Sequence, residues 1–138
     1  WYRKSWKGEP ARSGGLITNL GVHLVDLCLY LFGPMTRVGP VMIRKDADGF
    51  DEEARGHFSC DRATIAFHLS LLGPDSRRVF RVAGRDLDLS NQIQVLHEEA
   101  YRRILVGEKF ELADVAEAIF AIEAIYRAAT DLPSEPAG

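Results

Sequence analysis

One apolar run, residues 15–32, constrains the fold of this 138-residue chain more than any other feature. The run follows Gly14 and ends at Gly33-Pro34, where a helix stops because Gly adopts the left-handed conformation and Pro cannot continue the backbone ladder. Ser13 precedes the run as a candidate N-cap. The pattern predicts a helix over 15–32 that is apolar around most of its circumference and is therefore largely buried.

The middle of the chain changes from helical spacing to short strand-like runs separated by turn residues. In the longest run, Ile65, Phe67, Leu69 and Leu71 alternate with smaller or polar residues, which is typical of a strand with one packed face and one wetter face. The connections are of hairpin length and favour antiparallel pairing. The predicted strands cover residues 38–44, 54–60, 63–72, 78–82 and 86–89.

Helical spacing returns in the last third of the chain. One predicted helix runs from about Leu96 to Gly107, and a second runs from Val115 to Tyr126. The fold class is therefore predicted as α+β, a mostly antiparallel open β-sheet with helices packed on one face. We expect one domain over residues 1–132 and a disordered polar tail over 133–138.

Composition excludes several classes of partner. Lys and Arg number 17 against 20 Asp and Glu, a balance too even for a duplex nucleic-acid binder. No apolar run is expected to reach the roughly 20 residues that span a bilayer, so no membrane partner is predicted. Cys28 and Cys60 form neither a metal pair nor a disulfide framework, which favours the reducing cytoplasm. The chain begins at Trp1, and we expect it to be part of a longer protein.

Polar residues form a stripe on the apolar helix. Asn19, His23, Asp26 and Tyr30 would lie within a narrow arc of a regular α-helix. Burying these groups without partners would cost several kcal/mol, so the stripe faces either an internal hydrogen-bond network or a polar cleft. In the second case His23 is a general base, because imidazole titrates near neutral pH.

Other candidate sites are weaker. One His with an acid three residues later has too few ligands for zinc, so no metal site is predicted. His57 and His68 fall in predicted strands and are interpreted as sheet-face residues. The glycines do not form a Gly-x-Gly-x-x-Gly unit after a strand, so no dinucleotide site is expected in this chain. The basic, aromatic residues 1–13 fit either a ligand-binding strip or a solvated edge strand.

Several motifs carry a resemblance to a known family. The segment from Gly14 to Asp26 resembles the C-terminal domain of the Gfo/Idh/MocA-type NAD(P)-dependent oxidoreductases, and further motifs are similar to their UDP-N-acetylglucosaminuronic acid 3-dehydrogenase branch. The motifs are Trp1-Tyr-x-x-Ser-Trp-Lys-Gly8, Ser13-Gly-Gly, Thr18-Asn-x-Gly-Val-His23, Phe32-Gly-Pro34 and Arg78-x-Phe-Arg-Val82.

The resemblance implies an architecture and an activity. The parent would have an N-terminal Rossmann domain, absent here, that holds most of the NAD, followed by this substrate domain. Its reaction would be oxidation of the 3-hydroxyl of a nucleotide sugar. An open sheet needs covering, so a homo-oligomer through that sheet is expected.

The resemblance also implies site residues. His23 matches the family histidine beside the reacting carbon, Asn19 fills the position four residues earlier, and Asp26 would orient the site. Tyr2, Ser5 and Lys7 would bind substrate, with Lys7 meeting an anionic group. Another sugar or polyol dehydrogenase of the superfamily and a catalytically silent oligomerisation module remain alternatives.

Overall fold

The structure, a computed structural model, describes residues 5, 9–72, 77–88, 102, 105–107 and 112–131. The elements in chain order are α1 (Pro10–Ser13), a π-helical segment (Ile17–Gly21), α2 (Val22–Phe32), β1 (Met35–Lys45), β2 (Asp51–Cys60), β3 (Thr64–Ser70), β4 (Arg77–Val82), β5 (Arg85–Asp88), α3 (Leu112–Arg127) and β6 (Ala129–Asp131).

The strands form one open sheet in the order β5-β4-β3-β2-β1-β6. Strands β1 to β5 pair antiparallel in sequence order. Strand β6 lies parallel to β1, with Val41 opposite Ala129. The predicted α+β fold is confirmed. The parallel edge strand was not predicted, because its three residues are too few to show a periodicity.

The core lies between the sheet and the helices. Helix α2 contacts α3, and α3 contacts β1. Alternate strand residues point toward the helices because successive side chains in a strand face opposite sides. The largest fully buried side chains come from both layers and are Phe58, Leu16, Ile17, Ile65, Leu69, Ile125, Val25 and Val41.

The helix predicted over residues 15–32 differs from the regular α-helix expected. Gly14 and Gly15 have φ values of 71° and 89°, so the helix begins only at Leu16. It continues through the π-helical segment before α2 starts at Val22. Ser13 Oγ accepts a hydrogen bond from Gly15 N at 3.3 Å. Ser13 therefore bonds within the turn formed by Gly14 and Gly15, which we call the glycine turn, and does not cap the helix.

The expectation that no apolar run is long enough to span a bilayer was also wrong. By length and composition alone, the 22 residues Ala11–Phe32 would be sufficient to cross a membrane. Half of the tested window is buried inside the fold, where Leu24, Val25 and Leu29 pack in the core. Such packing is typical of a helix in the core of a folded domain.

The outward face of the sheet carries polar side chains on β2 and β3, with the apolar Met42, Ala66 and Val79 beside them. Arg55 and His57 of β2 and Thr64 and His68 of β3 occupy the positions between buried residues. The wetter face predicted from alternation is confirmed for these residues, and the covering of the sheet by another copy is not tested. The homo-oligomer through the sheet stays a prediction.

Both cysteines are free and buried, on α2 and at the end of β2. Burial, and to a lesser extent the nearby Cys60, raise the pKa of the Cys28 thiol to about 12. A thiol held neutral in this way is a poor nucleophile and a poor metal ligand. Cys28 therefore serves as a small apolar core residue, and the cytoplasmic setting stays a prediction.

Candidate functional site

The polar stripe of the first long helix opens to the surface. His23 and Asp26 are exposed on α2, and Tyr30 is 84% exposed one turn further on. On the opposite side of the same helix, Leu24 and Val25 are buried against the core. The stripe is thus not sealed in packed protein, and an imidazole at position 23 is accessible to a ligand.

Asn19 bonds the backbone at the start of the helix. Its Nδ2 donates to the backbone oxygens of Ser13 at 2.8 Å and Gly15 at 2.9 Å. Because Asn19 lies within the π-helical segment, the angle predicted from a regular α-helix does not apply to it. The amide of Asn19 closes the glycine turn, and its substrate role stays a prediction.

Two side chains from distant elements hold the start of the helix. Leu16 N donates to Asp51 Oδ2 at 3.4 Å, and Ile17 N donates to the Tyr126 hydroxyl at 3.0 Å. The Tyr126 hydroxyl in turn donates to Asp51 Oδ2 at 3.3 Å. These two residues, which we call the Asp51–Tyr126 clamp, supply acceptors to N–H groups that the first turn of a helix leaves unpaired.

A β-bulge turns Asp51 toward the helices. Arg44 pairs with Glu53 and Lys45 pairs with Asp51, so Glu52 is an extra residue on β2. The extra residue places the buried Asp51 and Glu53 on opposite sides of the sheet. Asp51 can then reach the helix start, while Glu53 joins the outward face.

Sequence reasoning missed the Asp51–Tyr126 clamp. Tyr126 was predicted only as a helix-face residue, and Asp51 was not singled out. The available signal was that a buried tyrosine usually needs a hydrogen-bond partner for its hydroxyl. The 75 residues that separate the two positions gave no means of pairing them.

A cleft of about 330 Å³ lies beside the clamp. Lys45 Nζ lies 3.5 Å from Asp131 Oδ1 at its wall. The lining residues are Gly14, Gly15, Ile43, Lys45, Gly49, Asp51, Tyr126, Ala129 and Asp131. The cleft leaves the glycine turn accessible from the side of the β1–β2 turn.

The other predicted substrate residues are only partly described. Ser5 is half-buried in a bend. Tyr2 and Lys7 lie outside the described residues, as does most of the predicted helix over 96–107 and the tail over 133–138. The structure therefore tests neither the ligand-binding strip nor the edge strand proposed for residues 1–8, while Pro10–Ser13 form a helical turn.

The sheet histidines take part in contacts within the sheet. His68 Nε2 lies 2.7 Å from Glu53 Oε1. His57 lies so close to Gly39 that a Cβ there would overlap its ring. Their interpretation as sheet-face residues is confirmed. Within the described ranges, no group of three or more His, Cys, Asp or Glu side chains is arranged to hold a metal ion.

Comparison with known proteins gives a consistent result. The sequence profile of the GFO/IDH/MocA C-terminal domain matches residues 1–90. The WlbA (WbpB) dehydrogenase from Thermus thermophilus, in complex with NAD and α-ketoglutarate, is 34% identical over 99% of this chain with a TM-score of 0.70. The same dehydrogenase in complex with NAD and UDP-GlcNAcA gives 33% identity, the same coverage and a TM-score of 0.68. The chain spans 45% of the length of either solved chain.

Proposed function

Since the chain belongs to the GFO/IDH/MocA C-terminal domain family and is related to an NAD-dependent dehydrogenase, we propose that it is the substrate-binding domain of a nucleotide-sugar 3-dehydrogenase. The substrate would be UDP-N-acetylglucosaminuronic acid or a close analogue. The observation that carries the proposal is the exposed His23, within a Gly-Val-His motif, on a helix whose opposite side is buried in the core.

The chemistry proposed for His23 is proton transfer. Oxidation of a secondary alcohol requires the hydroxyl proton to leave as the C–H electron pair departs, and a neutral imidazole nitrogen accepts a proton near pH 7. Exposure on the outer side of α2 leaves the imidazole accessible to a sugar hydroxyl. His23 therefore acts as the general base of the reaction.

The remaining residues are proposed to bind and orient the sugar. Lys7 is assigned to an anionic carboxylate or diphosphate, and Tyr2 and Ser5 to hydroxyl groups. The Oδ1 atom of Asn19 is directed to the substrate or to water, since its Nδ2 holds the glycine turn. Asp26 lies one turn from His23 and supplies negative charge beside the imidazolium formed during turnover.

The cofactor is assigned mainly to a Rossmann domain of the parent. This chain has no Gly-x-Gly-x-x-Gly unit, but an exposed imidazole on the outer side of α2 fits a substrate that lies between this domain and a bound nicotinamide. NAD would supply the hydride acceptor when bound.

Substitution of His23 in the full-length dehydrogenase tests the proposal. With NAD and UDP-N-acetylglucosaminuronic acid at neutral pH, His23→Asn should lower turnover by about 10²–10⁴ because the hydroxyl proton loses its acceptor. The melting temperature should not change, since the side chain is exposed. Initial rates of NADH formation provide the measurement.

His57→Gln is the matched control, because it removes an imidazole from the sheet and should keep full turnover. Normal turnover of His23→Asn would refute the general-base role. If the wild-type enzyme oxidised a neutral sugar or polyol but not the nucleotide-sugar acid, the proposed reaction class would stand and the proposed substrate would be refuted.

A further inference from the structure

We propose that the Asp51–Tyr126 clamp positions His23 for proton transfer by fixing the start of the helix that carries it. The inference rests on the proposed function of His23 and adds two residues that bond the backbone of the helix carrying it. Asp51 and Tyr126 are therefore positioning residues, acting through the backbone of Leu16 and Ile17.

The first step of the argument is the geometry of the π-helical segment. Ile17–Gly21 lies directly before α2, and His23 is the second residue of α2. A π-helical turn holds about one residue more than an α-helical turn. Conversion of this segment to an α-helix, with its start fixed, would rotate His23 by roughly 100° about the helix axis.

The second step is that the start of the helix has no ordinary cap. Gly14 and Gly15 separate Ser13 from the helix, and both have left-handed backbone conformations. The N–H groups of Leu16 and Ile17 bond instead to Asp51 and Tyr126. Side chains that bond these two groups fix both the position and the rotation of the first turn, which the rest of the helix then follows.

The third step is the close contact between the clamp and the backbone at the start of the helix. Asp51 is only 7% exposed, and its carboxylate accepts from both Leu16 N and the Tyr126 hydroxyl. A Cβ on Gly15 would overlap both the Tyr126 hydroxyl and Asp51 Oδ2. The close approach of the clamp to the backbone therefore requires glycine at position 15.

The Tyr126 hydroxyl of the clamp also stays protonated. Burial and the charge of Asp51 raise the pKa of the Tyr126 hydroxyl well above its ordinary value. The hydroxyl remains a donor to Asp51 at any pH used for turnover. The support that the Tyr126 hydroxyl gives to Ile17 N is thus not lost by ionisation of the tyrosine.

A double-mutant cycle in the full-length dehydrogenase tests the inference. Tyr126→Phe keeps the ring but removes the oxygen that accepts from Ile17 N. We expect kcat to fall about 10-fold or more in the wild-type background, since misplacement of a catalytic group lowers the rate steeply, while KM for the nucleotide sugar changes less than about threefold. In the His23→Asn background, the same change should lower kcat less than about twofold, because the imidazole to be positioned is absent.

Controls separate positioning from general loss of stability. Ile125→Val removes one buried methyl group next to Tyr126 on α3 and should lower the melting temperature without changing kcat. Asp51→Asn, which keeps an oxygen acceptor for Leu16 N, should retain more activity than Asp51→Ala.

The cycle distinguishes the two levels of the proposal. An equal loss of kcat from Tyr126→Phe in both backgrounds would show that the clamp is structural only, and the function of His23 would stand. Full turnover of the His23→Asn enzyme alone would overturn the proposed function, and the positioning role would fall with it.

Discussion

Two groups of polar side chains in this domain lie on different layers and differ in how far their side chains are exposed to solvent. The helix row consists of His23, Asp26 and Tyr30, which are exposed along α2. The sheet row consists of Arg44, Glu53 and His68, on three neighbouring strands. In the sheet row, Glu53 lies 2.7 Å from His68 Nε2 and 3.3 Å from Arg44 Nε, and its side chain is only 12% exposed.

The difference follows from the geometry of the two layers. Adjacent strands bring side chains on one face within about 5 Å of one another, so charges on β1, β2 and β3 can pair within the sheet. The outer side of α2 exposes its row to solvent. The ion pairs of the sheet row contribute to stability, whereas the helix row lies at the surface, where a ligand or another domain can reach it.

The largest effect is expected where the helix start meets the clamp. Gly15→Ala in the full-length protein should lower the free energy of unfolding by about 3 kcal/mol or more, because it adds a steric overlap with Asp51 and Tyr126 to an unfavourable positive φ. Gly49→Ala is the matched control, since Gly49 has a φ of 79° and a Cβ added there would meet nothing within 4 Å. It should cost only about 1 kcal/mol. If urea titrations gave the same loss in the free energy of unfolding for both variants, the clamp would not approach Gly15 closely.

An intermediate effect is expected in the sheet row. Glu53→Gln should lower the free energy of unfolding by about 1–3 kcal/mol, because Arg44 loses the buried negative charge beside it. Asp86→Asn provides the comparison: Asp86 also bonds an arginine, Arg81, but at a solvent-exposed position. Its melting temperature should stay close to wild type. A larger loss of stability for Asp86→Asn than for Glu53→Gln would show that the buried pair is not the more stabilising of the two.

The smallest effect is expected in the helix row. Tyr30→Ser should change the free energy of unfolding by less than about 0.5 kcal/mol, since the ring is 84% exposed. Thermal unfolding of the full-length protein, compared with the Gly15→Ala variant, provides the measurement. A loss of several kcal/mol would show that Tyr30 is buried against another part of the parent, and the row would then belong to a domain interface.

Much of the architecture could be predicted because periodicity reports burial. Alternation in residues 63–72 identified β3 and its two faces, and helical spacing after Val115 identified α3. The Gly33-Pro34 stop also matched the end of α2 at Phe32. The π-helical segment could not be predicted, because its extra residue leaves the apolar composition of the run unchanged.

The candidate site was predicted in part. His23 and Asp26 do share the exposed side of one helix, as their spacing indicated. The spacing did not indicate that the amide of Asn19 bonds the backbone of the glycine turn, and the substrate role of Asn19 stays a prediction. Asp51 and Tyr126 reach that turn only after β2 bulges and α3 packs beside α2.

The sequence by itself determined which segments bury apolar faces and which residue types lie on one helix, because these depend on local spacing. Tertiary structure alone decided which distant groups bond one another. Asp51 and Tyr126 meet at the start of the helix because buried backbone donors must find acceptors, and the acceptors come from whichever elements the packing brings within hydrogen-bond distance.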